Sequence, residues 1–249
     1  MKRTLIALLS LASLSYGTTT DATFTHSTNN NQGGYAGFTF NLSDNWLTAS
    51  PAVTDEYSAF ELTSITLQGA ETWFRLYNAS NDSGLVILNS SNAVVGKSNW
   101  DPTIGSATTV TNSNGATANS HPITYSFLTT TVVGETTTTA SSLTLDLDSN
   151  YKVVIYGNKT AFDNLTVGTT LTSLAGSERP SETAPIVAAG LRLDYNASNT
   201  TGVMIGSGGA ADATAFPVVS FSGKLVPEPT TATLSLLALA GLAARRRRR

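Results

Sequence analysis

Few side chains in this sequence are equipped for chemistry, and their spacing narrows the choice further. There is no cysteine, which removes thiolate catalysis, disulfides and Cys-ligated zinc or iron–sulfur sites. The two histidines, His26 and His121, lie far apart in polar contexts, without the spacing that places two metal ligands on one helix face. No Gly-x-Ser-x-Gly elbow accompanies them, so a serine triad is not expected. What survives is carboxylate chemistry, since a glycoside hydrolase or lyase needs only two suitably separated acids. Asp146 and Asp148 share one face of an alternating stretch, about 7 Å apart along a strand. Strands commonly expose Asp in this way, and Glu61 and Glu71 have no stronger claim, so no catalytic residue is nominated.

Aromatic rings offer a second kind of site, because the CH faces of sugars pack on them. Trp46 in SDNW and Trp100 in KSNWDP stand beside turn residues and are the ligand-binding candidates. Tyr35 and Tyr77 extend that set, whereas Trp73 in WFRLY reads as core. The run NASNDSG, from Asn78 to Gly84, offers oxygen ligands for a structural calcium but lacks the spacing and terminal Glu of an EF-hand loop. An Asx turn accounts for the same residues. No metal site and no cofactor are assigned.

The elements that would position these residues are strands. Charged residues make up 12% of the chain and apolar ones 41%, with Thr, Ser, Asn and Gly abundant, the profile of short strands joined by polar turns. Alternation puts Leu143, Leu145 and Leu147 on one face, with Ser149-Asn150 turning into Tyr151 to Gly157 as a hairpin. A second hairpin joins Leu85 to Leu88 with Ala93 to Gly96. Leu191, Leu193 and Tyr195 point inward in LRLDY. Further strands fall at Thr23 to His26, Ala36 to Leu42, Phe60 to Leu67, Trp73 to Tyr77, Ile123 to Val133, Gly202 to Ile205 and Pro217 to Ser222. Asn99 to Ala118 and Ser173 to Ala184 read as long loops. The expectation is all-β: one antiparallel β-sandwich over residues 18–225, jelly-roll-like, with no confident internal helix.

The ends differ from this body. Lys2, Arg3 and Arg245 to Arg249 hold seven of the 14 basic residues, leaving seven bases against 17 acids, or net −10, in the rest. So acidic a body is a poor candidate for binding phosphate backbones, and no nucleic-acid partner is expected. Residues 1–17, MKRTLIALLSLASLSYG, have the basic start, short apolar run and small residues of a signal peptide cut after Gly17 by signal peptidase. Residues 226–249 begin with Val226 and Pro227-Glu228-Pro229, continue as an uncharged run from Ala232 to Ala244, and end in Arg245, Arg246, Arg247, Arg248 and Arg249. Thirteen helical residues reach about 20 Å against a hydrocarbon core of about 30 Å. The run therefore reads as a short hydrophobic helix that enters the membrane transiently. The arginines hold its end in the cytoplasm, with the body on the far side.

This order of three elements resembles the PEP-CTERM sorting signal of Gram-negative bacteria, also labelled an ice-binding protein C-terminal domain. The resemblance covers the last 24 residues and confers no activity on the body. It implies that Pro227, Glu228 and Pro229 are recognised by an exosortase-type membrane protease, which removes the tail and leaves a chain ending at Val226 or nearby. The location implied is the cell envelope, the cell surface or an extracellular matrix. The function expected of the body is non-enzymatic, with polysaccharide binding as its specific role. A glycan-active enzyme on the same scaffold is the alternative.

Overall fold

The computed structural model describes residues 18–26, 35–44, 46–70, 83–111, 117–133, 136–141, 143–156, 159–171, 178–179, 186–187, 204–206, 211–212 and 218–228. Its first strands are β1 (Thr20–His26), β2 (Tyr35–Phe40), β3 (Thr48–Ser50), β4 (Tyr57–Ala70), β5 (Gly84–Asn89) and β6 (Val94–Lys97). Next come β7 (Thr103–Ile104), β8 (Thr108–Thr111), β9 (Thr117–Ser126), β10 (Leu128–Val133), β11 (Thr136–Ser141), β12 (Leu143–Asp146) and β13 (Tyr151–Tyr156). After a helix, α1 (Lys159–Asp163), follow β14 (Glu178–Arg179), β15 (Ile186–Val187), β16 (Met204–Gly206), β17 (Ala211–Asp212) and β18 (Val219–Pro227).

All the pairings between strands are antiparallel, in two main sheets. The first runs β3-β1-β18-β4-β9-β7, with β12 also on β4 and β8 on β9; the second runs β17-β16-β2-β13-β5-β6. Eight strands carry the frame: β1-β18-β4-β12 in one sheet and β2-β13-β5-β6 in the other. Numbered along the chain, those are 1-8-3-6 and 2-7-4-5, the double Greek key of a jelly roll. Between the sheets lies one apolar core, to which Phe24, Phe60 and Phe221 come from the first and Phe38, Phe40 and Val153 from the second. Phe221 meets the rings of Phe38 at 6.3 Å and Phe40 at 4.8 Å, so aromatic packing ties sheet to sheet.

Period-two alternation explains the first sheet. β12 buries Leu143 and Leu145 and exposes Thr144 and Asp146, and β18 keeps Val219, Phe221 and Leu225 inward. The second sheet departs from it: every residue of β13 is buried. The reason is a second apolar cluster on its outer face, where Phe162 of α1 packs with Val86, Leu88, Val94, Val154 and Tyr156. Gly84 leaves room for that ring, since a Cβ there would stand 2.6 Å from Phe162. The chain then adds to the open edge of β6, with the Val94 amide donating to the Thr169 carbonyl and the Gly168 amide to the Val94 carbonyl.

Three sequence expectations are corrected. Leu143 to Gly157 is not a hairpin, because β12 pairs with β4 while β13 pairs with β2 and β5. Both strands present apolar faces to the same core from opposite sheets, and the turn between them crosses the sandwich. Asn99 to Ala118 is not one loop, since Thr108–Thr111 pairs with Thr117–Ser120. Ile123 to Val133 is two strands, interrupted where Phe127 turns fully into the core. The hairpin of β5 and β6 stands as read, closed by Asn92 at φ 61° and by the Asn89 side chain, which accepts from the Ser91 and Ala93 amides. Residues 191–195 and 73–77 lie outside the described residues.

Candidate functional site

The outer face of the first sheet is built by register into polar rows. Thr25, Ser220, Thr66 and Thr124 are successive cross-strand partners; Asp21, Lys224, Glu61 and Thr144 form another row. Thr66 and Thr124 join hydroxyls at 2.9 Å. Between these rows β4 carries a bulge. Ser222 pairs with Ser64 and Gly223 with Leu62, so Thr63 has no opposite number. Leu62 and Ile65 both reach the core, leaving two residues between them where alternation allows one. Thr63 Oγ1 donates to the Ser222 carbonyl at 2.8 Å, and Gly223 passes so close that a Cβ would lie 2.1 Å from the Glu61 carbonyl oxygen.

The bulge shapes an open depression of about 330 Å³, lined by Asp21, Thr23, Ser50, Thr63, Ser222 and Lys224 among others. It offers hydroxyls, one ammonium and one carboxylate, with Asp21 and Lys224 both exposed. Such a lining can exchange hydrogen bonds with a polyhydroxylated or zwitterionic surface. Asp21 and Glu61 stand two strands apart, about 10 Å between backbones, with Lys224 between them.

The residues nominated from sequence fall elsewhere. Trp46 is half-buried against the shared core, its ring edge-on to His26 at 5.3 Å. Trp100 packs instead on the outer cluster of the second sheet, 5.1 Å from the Phe162 ring. The two tryptophans belong to different clusters and form no common platform. Trp73, Tyr77 and the Tyr35 side chain lie outside the described residues. Asp146 and Asp148 are exposed at the end of β12 and in the turn after it, where the Asp148 carbonyl accepts from Asn41 Nδ2 at 3.1 Å. His121 Nδ1 lies 3.0 Å from the Gly105 carbonyl oxygen, a structural contact.

Beside Trp100, Lys97 sits 4.7 Å above the Phe162 ring and donates to the Phe162 carbonyl at 2.8 Å. Partial burial draws its ammonium below the usual lysine pKa, opposed by the nearby Asp163 carboxylate. Most of the calcium candidate, Asn78 to Asp82, lies outside the described residues, while Ser83 hydrogen-bonds the buried Tyr125 hydroxyl at 2.9 Å. No cluster of three or more metal-ligating side chains occurs among the described residues.

The Pro-Glu-Pro segment begins inside the fold. Pro227 is the last residue of β18, opposite Tyr57, and the Glu228 amide donates to the Glu56 carbonyl at 2.7 Å. Pro229 and Arg245 to Arg249 lie outside the described residues, among which no helix is long and apolar enough to cross a membrane. No family model, no curated protein and no solved structure matches the chain.

Proposed function

We propose that the chain is an exported, non-enzymatic β-sandwich protein, delivered to the cell surface or extracellular matrix by its C-terminal sorting tail. The observation that carries the reading is the order of Pro-Glu-Pro, a 13-residue apolar run and five arginines, joined without a spacer to the last strand of the domain. Signal peptidase and an exosortase-type protease are its processing partners, and its contact with the membrane is transient. Replacing Pro227, Glu228 and Pro229 together by Ala tests this. Membrane-held precursor should accumulate and surface protein should fall; undiminished surface delivery would contradict the reading.

For the body, polysaccharide contact is the role we assign, at the open depression of the first sheet rather than at the two tryptophans. The support is its lining of hydroxyls flanked by Asp21 and Lys224. A glycan array probed with wild type and Lys224→Ala should show binding that the substitution weakens, with no reducing sugar released. Sugar release abolished by changing one carboxylate would establish the enzymatic alternative instead.

A further inference from the structure

We infer that the folded domain grips the first two residues of its own sorting motif, so that the proteolytic cut falls beyond Glu228 and the mature chain keeps them. The inference rests on the sorting reading for the existence of a cut, and on strand register for its place. β18 is flanked on both sides, by β1 and β4. Leu225 is fully buried, opposite Thr20 on one side and Phe60 on the other. Val226 and Pro227 continue along β4 opposite Ala59 and Tyr57, and the Glu228 amide closes the run on Glu56. Proline is tolerated at such a strand end because it lacks only a donor.

Tyr57 ties the two ends of the domain together. It stands opposite Pro227, and its hydroxyl shares a hydrogen bond with Thr20 Oγ1 at 3.1 Å. A leader cut after Gly17 and a tail starting at Pro227 thus leave from one end of the first sheet. Both can reach the same membrane while the domain stays folded.

A protease that binds its substrate as an added strand needs that substrate's backbone groups free to form new hydrogen bonds. The chain is paired with both β1 and β4 up to Leu225 and with β4 alone from Val226 to Glu228, so up to Glu228 its backbone groups are not all free to join a new strand. Cutting at Val226 would draw Leu225 out of the core and break its pairings, whereas cutting beyond Glu228 leaves the sheet whole. In the hydrolysis the peptide C–N bond breaks and the oxygen of water joins the acyl carbon, giving the mature chain its new carboxylate. The released tail carries the proton on its new amine.

Two measurements separate the grip from the cut. On purified full chain in mild detergent, exchange of the Glu228 amide should be slowed at least about tenfold relative to unfolded chain; exchange at the unfolded rate overturns the inference. In cells, peptide mapping of the surface-located chain should end C-terminal to Glu228, and an end at Val226 or earlier overturns it. A protected Glu228 amide on a surface-located chain that still ends at Arg249 would overturn the sorting reading, and the placement of the cut with it.

Discussion

The outer faces of the two sheets have opposite fates. On the first, Thr, Ser, Asp and Lys stand in rows, and one bulge opens a depression edged by Asp21 and Lys224. On the second, α1 and the chain after it cover β5 and β13 with a further apolar cluster. Among the described residues, the first sheet's outer face carries no second apolar cluster, whereas the second's is covered by one. Apolar surface removed from water stabilises by about 25 cal/mol per Å², so a second cluster is a substantial addition to a single core.

The largest effect should come from the core that both sheets share. Phe221→Ala should cost about 4 kcal/mol, lowering the melting temperature by roughly 10 °C in thermal unfolding followed by circular dichroism. Phe162→Ala should cost about 3 kcal/mol and release hydrogen-exchange protection first around Val94 and Gly168, leaving β18 protected. Equal loss of protection in both sheets would break the comparison.

Glycines give the next contrast. At Gly223 an added methyl meets backbone, which cannot yield, so Gly223→Ala should cost about 2 to 3 kcal/mol. At Gly84 it meets only the Phe162 ring, which can shift, and Gly84→Ala should cost about 1 kcal/mol in the same melts.

Each side also buries a tyrosine. Burial raises Tyr125, in the shared core, well above its ordinary pKa, and raises Tyr156, under Phe162, to about 12. Both stay neutral in the native state while the unfolded chain ionises near pH 10, so the unfolded state then binds fewer protons. Stability is therefore fully present below pH 10 and falls as pH rises from about 10 to 12. A phenolate absorbance titration should show these two ionising last, Tyr156 before Tyr125; ionisation of both near pH 10 in folded protein would contradict the burial. The smallest change is Tyr57→Phe, which removes the hydroxyl that reaches Thr20 and should cost about 1 kcal/mol by denaturant unfolding.

These contrasts also mark what local sequence could reveal. Alternation at Leu143, Leu145 and Leu147 was legible because one face of β12 is wet. Tyr151 to Tyr156 are apolar apart from the buried Lys152, both faces are dry, and a strand buried on both faces gives no period to read. The cover itself, Lys159–Asp163, is five residues long, too short for a helical period to stand out. Trp100 looked like a turn residue, and its partner Phe162 lies 62 positions on, beyond any local pattern. The depression was illegible for the same reason, since Asp21 and Lys224 meet only through the pairing of the first and last strands. The order of Pro-Glu-Pro, apolar run and arginines is visible in the sequence because its three parts are contiguous. That Pro227 belongs to β18 is not, because proline at a strand end leaves no signature of pairing.

The intact mass of the surface-located protein tests the central claim most directly, since it reads both ends of the domain at once. One species is expected, beginning at Thr18 and ending shortly beyond Glu228, with the two termini leaving the same end of the first sheet. A surface-located species that still ends at Arg249 would contradict the delivery, and one that ends at or before Val226 would contradict the grip of the sheet on its own sorting motif.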